Sequence, residues 1–130
     1  MAVTTISTFT AVAGKLVTDD AIGSTGVDNV TGATSGKIFM VECDNTLNKT
    51  DVYLKIIDAA NITNSVGTTT ANGAGTPHLM FYVPKAKSIT YVIPEGHSYT
   101  AGVSVWCVTS SAVGNSSGPS SSVKINLLCS

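Results

Sequence analysis

The sequence predicts an all-β fold, an antiparallel β-sandwich in one domain. Two observations carry this. Val52-Tyr53-Leu54-Lys55-Ile56, Lys87-Ser88-Ile89-Thr90-Tyr91-Val92-Ile93, Val103-Ser104-Val105-Trp106-Cys107 and Val123-Lys124-Ile125-Asn126-Leu127 alternate apolar and polar residues with a period near two. That is the mark of strands with one buried face. Turn residues separate these runs at roughly eight to twelve residues, the spacing of strands in sandwiches. At 130 residues the chain fits one domain with its own core. No amphipathic helix of useful length interrupts the pattern, and Ala59 to Val66 offers one short helical turn at best.

The elements follow in order. Val3 to Thr10 and Ala11 to Thr18 are β-prone. They read as an N-terminal arm that pairs with a neighbouring subunit, or as an ordinary first strand at the edge of the sandwich. Gly23-Ser24-Thr25-Gly26 and Thr31 to Gly36 are loops. Lys37 to Glu42 is a strand whose Ile38, Phe39, Met40 and Val41 are apolar in succession, as when both faces are covered. Asp44 to Asn48 is a turn, its Asx residues bonding their own backbone. Asp51 to Ile57 is expected to form a hairpin with the strand before it.

Gly67 to Pro77 is a breaker-rich loop without a phosphate-loop pattern, since no Gly-Lys-Ser/Thr follows. His78 to Val83 is a strand ending at Pro84. Lys87 to Ile93 is another, expected to end at Pro94-Glu95-Gly96 as a type I turn. Tyr99 to Val108 reads as the longest strand. Ser110 to Ser122 is a second low-complexity loop, and Val123 to Leu128 closes the fold. The sum is about seven to eight strands in a sandwich of jelly-roll or immunoglobulin-like type. Residues 36–130 form that sandwich, and residues 1–35 an N-terminal arm or edge strand and loop.

Composition narrows the function. The formal net charge is -1, and 12% of residues are charged, against roughly 25% in ordinary soluble proteins. Two readings stand: much of the surface faces other subunits, or abundant Ser, Thr and Asn do the solvating. Every basic residue is lysine. Without arginine or a basic cluster, nucleic-acid binding is not expected. The start Met1-Ala2-Val3-Thr4 lacks a basic and an apolar targeting region, and no stretch is long enough for a spanning helix, so no membrane partner is expected.

Cys43, Cys107 and Cys129 are odd in number. Cys43 and Cys107 suit facing strands, but an immunoglobulin-type disulfide also needs a tryptophan on an intervening strand. Trp106 adjoins Cys107 instead, so buried free thiols are expected.

No catalytic, cofactor-binding or metal-binding residues are assigned. His97 with Cys107 is the nearest thing to a nucleophile and base, and no nucleophile elbow accompanies it. No close Cys or His pair has zinc spacing. Asp19, Asp20 and Asp28 lack the calcium-loop pattern. Trp106 shares a strand face with Ser104 and Val108, opposite Val103, Val105 and Cys107. Tyr53 likewise opposes Val52 and Leu54. Such outward rings are either covered by a second layer or free for a partner. Val3, Ile6, Phe9, Tyr53 and Trp106 are therefore the candidate interface residues.

One further pattern bears on function. Asp51-Val52-Tyr53-Leu54-Lys55-Ile56-Ile57-Asp58-Ala59-Ala60 is followed by Val66-Gly67-Thr68-Thr69. Pro77-His78-Leu79 and Val83-Pro84 come next, then Ile93-Pro94-Glu95-Gly96-His97-Ser98-Tyr99-Thr100-Ala101-Gly102-Val103-Ser104. This order resembles small virion proteins of tailed bacteriophages, marine and cyanophage types especially, over residues 37–128. The long Gly67–Pro77 loop departs from the compact form of that family.

The resemblance implies a structural role: a capsid decoration or cement protein that binds the major capsid protein on the outer lattice. It would be made in the host cytoplasm and assembled as a trimer or dimer. A tail or head–tail connector component is the first alternative, and a glycan- or receptor-binding β-sandwich module the second. The family offers no catalytic residues to carry over, and no enzyme activity is expected.

Overall fold

The computed structural model describes residues 13–61, 76–112 and 117–130. Among the described residues there are seven strands and no helix. They are β1 (Lys15–Ile22), β2 (Gly36–Asp44), β3 (Val52–Ile57), β4 (Leu79–Val83), β5 (Ser88–Tyr99), β6 (Ser104–Val108) and β7 (Val123–Cys129). Sheet 1 has the order β1-β7-β2-β5 and sheet 2 the order β4-β3-β6, with every pairing antiparallel. The fold is the all-β sandwich that the alternation predicts.

Period-two patterning builds the core. In sheet 1, Val41 and Cys43 lie in register with Leu127 and Ile125. In sheet 2, Leu54 and Ile56 lie in register with Cys107 and Val105. All of these point inward, and they form one buried cluster between the sheets. Apolar side chains interdigitating between two inner faces are the usual core of such a sandwich.

Three expectations about connectivity are corrected. β2 and β3 are not a hairpin. β2 is flanked by β5 and β7, so β3 joins the other sheet. The Asp44–Asp51 connection turns between layers, and side chains rather than a ladder hold it. β5 does not stop at Pro94. It runs on to Tyr99 through an irregularity in which its register against β2 shifts between Ile38 and Met40. Proline lacks an N–H donor, and β5 is an edge strand, where the missing donor is tolerated. Finally, Tyr99 to Val108 is not one long strand: Tyr99 ends β5, residues 100–103 are irregular, and β6 begins at Ser104. Gly102, at φ 142°, breaks the run, and a Cβ there would lie 3.1 Å from Ala60 Cα.

The first 35 residues contribute directly to the sandwich. β1 is an edge strand of sheet 1, paired with β7. The chain after it runs beside β6: Val27 and Val105 exchange backbone hydrogen bonds at 2.9 and 3.0 Å, and Cys107 N–H donates to Gly23 O at 2.8 Å. The expected arm at Val3 to Thr10, with the candidate residues Val3, Ile6 and Phe9, lies outside the described residues.

Asparagine and aspartate side chains tie the ends. Asn45 and Asn48 are buried. Asn45 Nδ2 donates to Thr50 O, Val83 O and Pro84 O at 3.0, 3.3 and 3.1 Å. Asn48 Nδ2 donates to Asn45 Oδ1 and Ser121 O, both at 2.8 Å. Three separate loops are thereby joined. Elsewhere Asp58 accepts from the backbone N–H groups of Thr100, Ala101 and Gly102.

Candidate contact surfaces

The groups capable of chemistry are dispersed. Cys43, Cys107 and Cys129 are free and buried. Burial pushes the Cys43 thiol up to about 12, helped by the Asp44 charge, and burial raises Cys107 and Cys129 as well. A protonated, enclosed thiol is a poor nucleophile. Cys107 thus serves the core. His97 lies in register with Ile38 on sheet 1, whereas Cys107 belongs to sheet 2. His78 Nδ1 accepts the Asp58 N–H at 3.0 Å, and so ties the end of β3 to the start of β4.

Among the described residues no group of three or more His, Cys, Asp or Glu could hold a metal ion. Asp19 Oδ1 accepts the Ala21 N–H at 2.8 Å, a local turn contact. Burial opposes the Asp58 charge, but the N–H groups of Ala101, Thr100 and Gly102 and the Thr100 hydroxyl outweigh it. They hold the carboxyl below its ordinary range.

The outer face of sheet 2 is largely covered by its own chain. Trp106 is 2% exposed, packed with Ile57, Val108 and Ala59. The interface role expected for Trp106 is therefore corrected: the ring is part of a second, smaller core. Lys55, beside it in register, is 1% exposed, and its Nζ donates to Ala112 O at 2.8 Å. Burial lowers the Lys55 pKa. Tyr53 is half-buried and packs on Tyr82, ring centroids 5.5 Å apart. Tyr82 is itself exposed and donates to Asp51 Oδ2 at 3.0 Å.

The outer face of sheet 1 is different. Register places Leu16 opposite Leu128, Leu128 opposite Met40, and Met40 opposite Val92. These four residues make one apolar rung across all four strands. Leu16 is 63% and Val92 69% exposed, while Met40 and Leu128 are half-buried. A groove of about 250 Å³ opens beside the rung, lined by Phe39, Met40, Val92, Ile93, Pro94 and Leu128.

The next rung is polar and satisfies itself. Thr18 donates to Asn126 Oδ1 at 2.8 Å, Asn126 Nδ2 to Glu42 Oε1 at 2.6 Å, and Thr90 to Glu42 Oε2 at 3.2 Å. The rung beyond carries Lys124 opposite Asp44, with Asp20 on the neighbouring strand. An open apolar line beside a self-satisfied polar one suits flat contact, because covering it orphans no hydrogen bond.

Sequence reasoning missed this rung. The available signal was apolar residues at positions where alternation calls for polar ones: Met40 between Phe39 and Val41, Val92 between Tyr91 and Ile93, and Leu128 after Leu127.

The sheet edges are mostly guarded. β1 has Asp19, Asp20 and a register shift before Ile22. β5 has Pro94 and its own shift. β6 is covered by the segment around Val27. Charge, proline, bulges and cover are the usual means of blunting an edge.

In comparisons with known proteins, no family model, curated protein or solved structure matches this chain.

Proposed function

We propose that this chain is a structural virion protein of a tailed bacteriophage, a decoration or cement protein seated on the outer capsid lattice. The observation that carries the reading is the open apolar rung of Leu16, Leu128, Met40 and Val92 on the outer face of sheet 1. The resemblance of residues 37–128 to small phage virion proteins supplies the biological setting. In this role the protein buries apolar surface at seams of the shell, including contact with the major capsid protein. Its thiols and histidines turn over nothing.

Labelling the protein and locating it on intact particles by electron microscopy tests this. Label at symmetric positions on the capsid is expected. Label confined to the tail or connector, or none at all, overturns the decoration role.

A second reading rests on a separate observation. Tyr82 is exposed, packs at a tilt against Tyr53 and donates to Asp51, an aromatic ledge with a carboxylate at its rim. Rings flanked by carboxylates suit a glycan-binding surface. A glycan array with purified protein separates the two. The cement role predicts no sugar-dependent signal, and the glycan role predicts one that Tyr82→Ala removes.

A further inference from the structure

We infer that two copies of this chain pair face to face through the outer side of sheet 1, about a twofold axis parallel to the strands between β7 and β2. This inference does not rest on the virion reading. It gives the rung to a second copy, so that in a virion the contact with the capsid falls to the remaining surface of the pair.

The register of the face supplies the argument. Such an axis sets β7 of one copy over β2 of the other, and β1 over β5, while leaving each rung at its own height. Leu128 then meets Met40 of the second copy, and Leu16 meets Val92. The protruding Leu16 side chain falls at the groove beside Val92 and Pro94. Asn126 meets Glu42, in a rung whose groups already bond one another. Strands that run nearly parallel across the contact match the aligned packing of stacked sheets, whose layers sit about 10 Å apart.

Charge makes the match specific. Asp44 and Lys124 are neighbours in register within one copy. The axis lays Lys124 over Asp44 of the second copy, and Asp44 over Lys124. Four charges then alternate around a square. The Asp44 carboxylate is held ionised by the Thr46 hydroxyl and N–H and by Lys124, against the opposing pull of burial. Only Oδ1 of Asp44 is engaged by Thr46, which leaves Oδ2 for the facing lysine. Asp20, on the outer strand, falls over the Ser88 end of β5 and off the square.

The size is also suitable. Four strands about 4.8 Å apart and seven to twelve residues long present a footprint on the order of 500 Å² before side-chain relief is counted. A standard stable contact uses roughly 800 Å² of accessible surface per partner.

The test is a charge-swap experiment read by analytical ultracentrifugation, with melting curves to confirm folding. The wild-type chain should be a dimer at micromolar concentration. Asp44→Lys and Lys124→Asp should each weaken self-association at least tenfold, because each gives four like charges on the square. An equimolar mixture of the two variants should form a heterodimer, since each lysine of one copy then faces an aspartate of the other. Val92→Lys, at an exposed position, should leave the fold intact and give a monomer.

A wild-type monomer at about 100 µM overturns the inference, and so does a dimer indifferent to Val92→Lys. Monomeric single variants that fail to pair when mixed overturn the twofold geometry. A monomer that instead loses capsid binding with Val92→Lys assigns the face to another partner, and also overturns self-pairing.

Discussion

Replacing Asn45 by alanine should cost about 3 kcal/mol, because the two amide hydrogens shared among three carbonyls at one end of the sandwich are lost together with the Oδ1 acceptor of Asn48. The acceptors are Thr50 O, Val83 O and Pro84 O, and they belong to the β2–β3 connection and the end of β4. Each lost bond is worth about 1 kcal/mol net, and more where the orphaned carbonyl is buried. Asn48 would lose its 2.8 Å bond to Asn45 Oδ1 but keep Ser121 O. For a domain of this size, 3 kcal/mol corresponds to a melting temperature lower by about 10 °C. Thermal unfolding followed by circular dichroism measures it. Asn48→Ala should cost a similar amount, and the double variant less than the sum, because the two side chains share a bond. An Asn45→Ala protein that melts within about 2 °C of wild type would refute the reasoning, since removing a fully buried amide that bridges two loops should not be so cheap.

Three further predictions follow from the same structure. Gly96→Ala should lower stability by about 1–2 kcal/mol, because φ there is 77° and the new Cβ would meet Lys37 Cβ and Phe39 Cε1 at 2.9 Å; chemical denaturation reads this as a lower midpoint. The Asp58 carboxyl has a folded pKa below its unfolded one, so its contribution is full above the unfolded value and is lost as pH falls through the folded value. Asp58→Asn should therefore be less stable than wild type at pH 7, with the gap closing below about pH 4 in a pH series of melting curves. Trp106, 2% exposed, should emit in the blue range expected of a buried indole and resist quenching by iodide until the protein unfolds; emission near that of free tryptophan in the native state would contradict its burial.

Much of the fold was legible in the sequence, and the reason is specific. Leu54, Ile56, Val105, Cys107, Ile125 and Leu127 sit at alternate positions, and one buried face demands that. Alternation names the face of a strand and not its neighbour. The β2–β3 hairpin was therefore misread: side-chain bonds from Asn45 and Asn48 stabilise a turn that no ladder supports. Pro94-Glu95-Gly96 suits a type I turn by composition, but Pro94 lies in an edge strand, where its missing donor is tolerated and the strand runs on.

The contact face was hidden for a related reason. Leu16, Met40, Val92 and Leu128 come from four strands, and only their register makes them one line. Trp106 was correctly placed opposite the main core, but nothing in the local pattern showed that the chain itself would roof it. Tyr53 keeps part of its ring in reach of solvent beside Tyr82.

The measurement that bears most directly on the account is hydroxyl-radical footprinting of the associated protein against the dilute one, read by mass spectrometry. If the outer side of sheet 1 is the working surface, Leu16, Met40 and Val92 gain protection on association while Met80 and Tyr82 on sheet 2 stay reactive. Protection at Met80 and Tyr82, with Met40 and Val92 unchanged, would contradict it.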